Sequence, residues 1–160
     1  MNPKAEVAFG PHARTAAIAL PPRHGGASLV ADLYEISDEV RFAAAHRLRF
    51  TDGEGERLHG HTWRVRATLR SRSLDRRGMV KDFADLHAAL AATALPFENR
   101  LINDVVPFDD ESSPDSNPSA ENLASLFARE LQRRLSDGRV TVHRVEVWET
   151  ETCCATFFPE

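Results

Sequence analysis

The stretch Leu58-His59-Gly60-His61-Thr62-Trp63-Arg64-Val65-Arg66-Ala67-Thr68-Leu69-Arg70-Ser71 decides the fold, because its side chains sort at a period of two. His59, His61, Trp63, Val65, Ala67 and Leu69 share one parity, and Arg64, Arg66, Thr68 and Arg70 share the other. Alternate residues of a strand project to the same side. The run from about His59 to Ser71 is therefore a strand with an apolar face, and His59 and His61 lie at its loop end. Gly60 between them offers no bulk. Two imidazoles on one side of a strand make a two-pronged metal ligand.

Upstream, Leu33 to His46 is also strand-like, with Tyr34, Ile36, Val40 and Phe42 on alternate positions. Arg47 to Arg57 contains the turn-forming run Thr51-Asp52-Gly53-Glu54-Gly55, so the two strands form a long hairpin. His46 then supplies a third imidazole. Three histidines of this kind describe a catalytic metal site in which one coordination position stays open for water or substrate.

Downstream, Leu74 to Gly78 is a second turn and Met79-Val80-Lys81 leads into a helix with Asp82 as its N-cap. Phe83, Leu86, Leu90 and Ala94 recur at helical spacing, and Pro96 ends the helix. After an irregular stretch, Asn117-Pro118-Ser119 caps a second helix whose apolar stripe is Leu123, Leu126, Phe127, Leu131 and Leu135. Asp137-Gly138 closes it. A third strand follows over Val140 to Glu149, alternating Val140 and Val142 against Val145 and Val147, and a last strand runs from about Thr152 to Phe158. The order ββααββ implies an α+β fold, a four-stranded antiparallel sheet with two helices on one face. Its other face is expected to be partly apolar, carrying residues such as Trp63 or Trp148, and to be covered by another subunit.

Composition sets the surroundings. The chain has 160 residues, 42% of them hydrophobic and 28% charged, which suits one soluble domain with a real core. A net charge of −4 gives no basic excess for nucleic acid, and no apolar run is long enough to span a bilayer. The N-terminal region does not read as a signal peptide, being broken by Pro3, Pro11, His12, Arg14, Pro21 and Pro22, so the cytoplasm is the expected address. Residues 1–30 read as a disordered or loosely attached extension, and 31–160 as the domain. Adjacent Cys153 and Cys154 do not fit an ordinary disulfide within one chain and read as small packing residues near a strand.

The segment from about Tyr34 to Phe158 resembles the 6-pyruvoyltetrahydropterin synthase and 6-carboxytetrahydropterin synthase family. The marks that carry the resemblance are FAAAH ending in His46, LHGH at 58–61, GMVKDF at 78–83, NPSAEN at 117–122 and WET at 148–150. It implies the tunnelling fold, zinc held by His46, His59 and His61, and a 7,8-dihydropterin substrate, typically dihydroneopterin triphosphate. Zinc would hold and polarise the side-chain hydroxyls. Glu149 matches the glutamate that accepts the pterin ring N–H and exocyclic amine. The resemblance also implies a hexamer, a dimer of trimers, with sites between subunits.

Two catalytic positions depart from the family pattern. The cysteine that members place before LHGH is Gly55 here, and the aspartate–histidine pair is Glu98-Asn99. Asparagine cannot shuttle a proton near neutral pH. The run Glu56-Arg57-Leu58-His59 resembles a variant subgroup in which glutamate replaces the cysteine and the side chain of dihydroneopterin is cleaved to 6-hydroxymethyldihydropterin. Glu56 is thus the candidate base, with Glu54 competing, Glu98 standing at the relay position, and His87 or His143 as possible replacements for the lost histidine. The arginines at 41, 47, 49, 57, 64, 66, 70 and 72 offer partners for a triphosphate. The expected activity is that of a zinc-dependent lyase on 7,8-dihydroneopterin or its triphosphate, giving a 6-carboxy-, 6-pyruvoyl- or 6-hydroxymethyl-substituted pterin. The rivals are a zinc-containing pterin- or purine-binding homologue with impaired catalysis, and a structural zinc protein.

Overall fold

In the computed structural model, which describes residues 32–50 and 55–160, the hairpin is the centre of the sheet. The expected extension over 1–30 and the candidate Glu54 lie outside the described residues. Strand β1 spans Tyr34–His46 and β2 spans His59–Ser71, in antiparallel register from Tyr34 opposite Ser71 to His46 opposite His59. Helix α1 (Phe83–Ala94) follows, then the two-residue strand β3 (Arg100–Leu101), helix α2 (Ala120–Leu135), and strands β4 (Thr141–Trp148) and β5 (Cys154–Phe157). The α+β class and the single layer of helices are as expected. The strand count is not. The sheet has five strands in the order β3-β1-β2-β4-β5, and β3 runs parallel to β1, paired at Ala44 and Ala45. So short a pairing, beside the irregular run after Pro96, carries no periodic signal.

The helices start where their caps dictate. The Asp82 carboxylate accepts from Ala84 N, and the Ser119 hydroxyl accepts from Asn122 N. Each such cap contributes about 1 kcal/mol. Both helices cover the face of the sheet that carries Trp63, Val65, Ala67 and Leu69, all of them fully buried. Phe42 and Trp63 stack at 6.3 Å, and Phe42 also meets Phe97 and Phe127 at 6.0 and 6.2 Å. This aromatic block joins the hairpin to α2. Two expectations change here. Trp63 belongs to this core rather than to the open face, as its parity with His59 and His61 requires. Phe83 is exposed, and the buried face of α1 is Leu86, Ala89, Leu90, Thr93 and Ala94.

Strand β4 puts Val142 opposite Leu69 but Arg144 opposite Thr68, so His143 is an extra residue in the ladder. That bulge explains the parity change in its valines. Val140, Val142, Val145 and Val147 all reach the core because one residue between the pairs is left out of register.

The open face is charged rather than apolar. Arg66 donates from Nη2 to Glu39 at 2.7 Å and Arg70 from Nη2 to Glu35 at 2.7 Å, across paired positions of β1 and β2. Trp148 does lie on this side, with the Arg64 guanidinium 4.0 Å from its ring centroid. Cys153 and Cys154 are exposed free thiols and not packing residues.

Candidate metal centre

Residues paired across an antiparallel ladder project to the same face. His46 sits opposite His59, and Ala44 opposite His61, so the register gathers three imidazoles at the loop end of the hairpin. Their ring centroids are 4.7 Å apart for His46 and His59, 4.7 Å for His59 and His61, and 5.2 Å for His46 and His61. One ligand atom from each lies within 4.8 Å of the others. Trp63 forms the floor, its ring edge-on to His46 at 4.8 Å and to His61 at 5.4 Å. Its indole N–H donates to Ala44 O at 3.2 Å, which holds that ring in place.

Hydrogen bonds on the far side of two rings decide which nitrogen is free. His46 Nδ1 lies 2.8 Å from Pro118 O, and His59 Nδ1 lies 2.8 Å from Arg57 O. A carbonyl can only accept, so in each ring Nδ1 carries a proton, and Nε2 is the nitrogen left to act as a ligand. Nε2 of His46 and of His61 are buried without any hydrogen-bond partner among the described residues. Such orphaned groups cost about 1–3 kcal/mol each unless something binds them. Burial holds the pKa of His61 below the ordinary histidine value, and nearby His46 and His59 push the same way against Glu149 and Glu56. The neutral ring it favours is the ligand form. Three ring nitrogens converging above a buried indole fit a divalent cation of the zinc type.

Two carboxylates flank the cluster. Glu149, just after the end of β4, places Oε1 3.7 Å from His46 Nε2, and its N–H donates to Cys153 O at 3.2 Å to close the turn into β5. Glu56 places Oε1 3.8 Å from His59 Nε2, while its Oε2 is buried with no partner among the described residues.

The remaining candidates lie elsewhere. Glu98 Oε1 is 3.5 Å from Ala43 N and lines a groove with Val40, Arg41, His87 and Leu95. Asn99 adopts φ 56°, a left-handed conformation that asparagine tolerates, and lines a separate groove with His61, Gly60 and Arg100. His87 pairs with Asp38 at 2.9 Å on the surface. His143 is the bulge residue, 2.6 Å from Arg70 Nη2 and stacked edge-on against Phe158. Arg64, Arg66 and Arg70 have the opposite parity to the histidines and point from the other face of the sheet.

Sequence reasoning missed the outer supports of this centre. Pro118 O stands 72 positions from His46, and Asn103 and Asn117 bond to the backbone just beyond it. The NPSAEN run was the one available signal, and as a helix start it says nothing of a distant imidazole.

A trihistidine cluster at one end of a sheet with helices on a single face defines a class of α+β protein with a candidate metal centre. The sequence matches the family described as 6-pyruvoyl tetrahydropterin synthase over residues 35–160, and the chain belongs to that family. It is 31% identical over 131 residues to the 6-carboxy-5,6,7,8-tetrahydropterin synthase of Synechocystis sp., covering 79% of this chain and 94% of that one. With the enzyme of the same name from Aquifex aeolicus it shares 29% identity over 163 residues, covering 79% of this chain and 99% of the relative. Among solved structures, the 6-pyruvoyl tetrahydropterin synthase of Caenorhabditis elegans superposes with a TM-score of 0.66 at 21% identity, over 81% of this chain and 97% of its own. The shared architecture is the tunnelling fold.

Proposed function

We propose that this protein is a zinc-dependent lyase acting on 7,8-dihydroneopterin or its triphosphate and releasing a 6-substituted pterin. The family membership and the names of the curated relatives support the pterin substrate class. His46, His59 and His61 would hold the metal, which when bound supplies Lewis acidity toward the hydroxyls of the substrate side chain. Glu149 accepts the ring N–H and the exocyclic amine of the pterin through its two oxygens, fixing the ring while the side chain reaches the histidines. The observation that carries a catalytic role is Glu56. Its Oε1 stands beside the cluster and its Oε2 is buried without a partner among the described residues, so the carboxylate is available to take a proton from a substrate hydroxyl. Glu98 is the second candidate for proton transfer, on the segment whose next residues line the groove beside His61.

Incubating metal-loaded protein with dihydroneopterin and with its triphosphate, and separating the pterins by chromatography, tests the activity. One 6-substituted product is expected. Tight binding of either compound without any product would replace the lyase by a pterin-binding protein.

The chain assembles, on the same proposal, as a hexamer built from two trimers. Among the described residues β1 pairs on its outer edge only at Ala44 and Ala45, which leaves most of a 13-residue strand open to another copy. Light scattering of the full chain is expected to give six copies; a monomer at micromolar concentration would refute the assembly.

A further inference from the structure

Beyond His46 the chain leaves the ladder of β1 yet remains held on both edges. On one edge two asparagine side chains act as short pieces of strand. Arg47 N–H donates to Asn103 Oδ1 at 3.0 Å, and Asn103 Nδ2 donates to Arg47 O at 3.0 Å. Two residues on, Arg49 N–H donates to Asn117 Oδ1 at 2.9 Å, and Asn117 Nδ2 donates to Arg49 O at 3.0 Å. Residues i and i+2 of an extended chain present their backbone groups to the same side, so the two amides grip one edge of 47–49. The other edge holds the return of the loop. Glu56 N–H donates to Leu48 O at 3.0 Å, and Arg49 bridges Gly55.

We propose that Asn103 and Asn117 are positioning residues of the metal centre, which fix 47–49 and through it set where Glu56 stands relative to His46 and His59. A side-chain amide can satisfy an N–H and a C=O of one residue at once. Alanine can satisfy neither, and leaves both to water or to movement. Asn117 is anchored in turn, because Asn122 Nδ2 donates to its carbonyl at 2.9 Å at the start of α2, the same turn whose Pro118 O fixes His46. Loop, ligand and helix start are therefore tied to one three-residue segment.

The inference rests on the metal-site reading above, and the test separates the two. The parent, Asn103→Ala and Asn117→Ala are each titrated with Co(II) against a chelator, and the visible spectrum of each Co(II) form is recorded. Each variant is expected to lose about 10- to 100-fold in metal affinity, as loss of an outer support commonly does, with an altered Co(II) spectrum. In turnover at saturating metal, Asn117→Ala combined with Glu56→Gln is expected to lose no more kcat than Glu56→Gln alone, because the part of the Asn117 effect that reaches kcat passes through Glu56 while its effect on affinity passes through His46, the residue before Arg47. Variants that melt earlier but keep the parental affinity and spectrum would show a purely structural role and overturn the proposal. So would full additivity in kcat. A parent that binds no Co(II) would overturn the metal-site reading itself, and a parent that binds it without turnover would overturn the lyase alone. Should Asn117→Ala fail to fold, Asn103→Ala, away from the helix cap, carries the same arms.

Discussion

Glu56→Gln is expected to lower kcat by about 10²- to 10⁴-fold while leaving zinc content at that of the parent. The substitution keeps the shape of the side chain but exchanges one carboxylate oxygen for an NH2 donor. It removes the negative charge and, with it, the capacity to accept a proton near neutral pH. Glu56 Oε2 has no hydrogen-bond partner among the described residues, so the exchange breaks no bond among them at that atom. Metal content by atomic emission and product formation by chromatography, on the same preparation, separate the two effects. Unchanged kcat would move the base elsewhere, with Glu98, His87, His143 and Glu54 next. A fall in zinc content to match the fall in kcat would make Glu56 a ligand instead of a base.

Zinc is expected to raise the melting temperature on the order of 10 °C when present at roughly a thousandfold excess over its Kd. At that excess a ligand bound only by the folded state contributes about 4 kcal/mol. The unfolded chain lacks the site, since the three imidazoles converge only through the pairing of β1 with β2. In His46→Ala this increment should vanish. The variant should also melt below the metal-free parent, because Pro118 O loses the N–H it accepts inside the protein, at a cost of about 1–3 kcal/mol. Melting curves with zinc and with excess chelator, for both proteins, give all four values. A parent whose melting temperature ignores zinc would end the case for a metal centre.

The sheet and the ligand set were legible because both depend on parity. The alternation from His59 to Leu69 fixes which side chains face the core, and the same count fixes where the histidines point. Placing Trp63 on the open face contradicted that count, and the structure follows the count. The valines of β4 break simple alternation, which only a bulge reconciles, and the bulge residue His143 cannot be picked out from the run alone. Strand β3 was not legible at all. Two residues have no period, and their pairing with Ala44 and Ala45 is set by how the chain leaves α1.

Within the centre, side chains were legible and their supports were not. His46, His59, His61, Glu56 and Glu149 are chemically marked residues near recognisable motifs. The groups that orient them are carbonyls of Pro118 and Arg57, and amides from residues 56 and 68 positions away. A backbone carbonyl leaves no trace in a sequence, since every residue has one.

The pairing of His46 with His59 also bears on how the chain reaches its native state. If β2 slid past β1 by a single residue, His46 would face Gly60 and the two remaining imidazoles would turn to the opposite side of the sheet. A slide of two residues that sets His46 opposite His61 would restore the side, with His59 then the diagonal neighbour. The one-residue slide is the alignment that scatters the three nitrogens over both faces. A cation held by this centre would thereby also gauge the parity of hairpin assembly, able to latch alignments that keep the imidazoles on one face and to pass over the others.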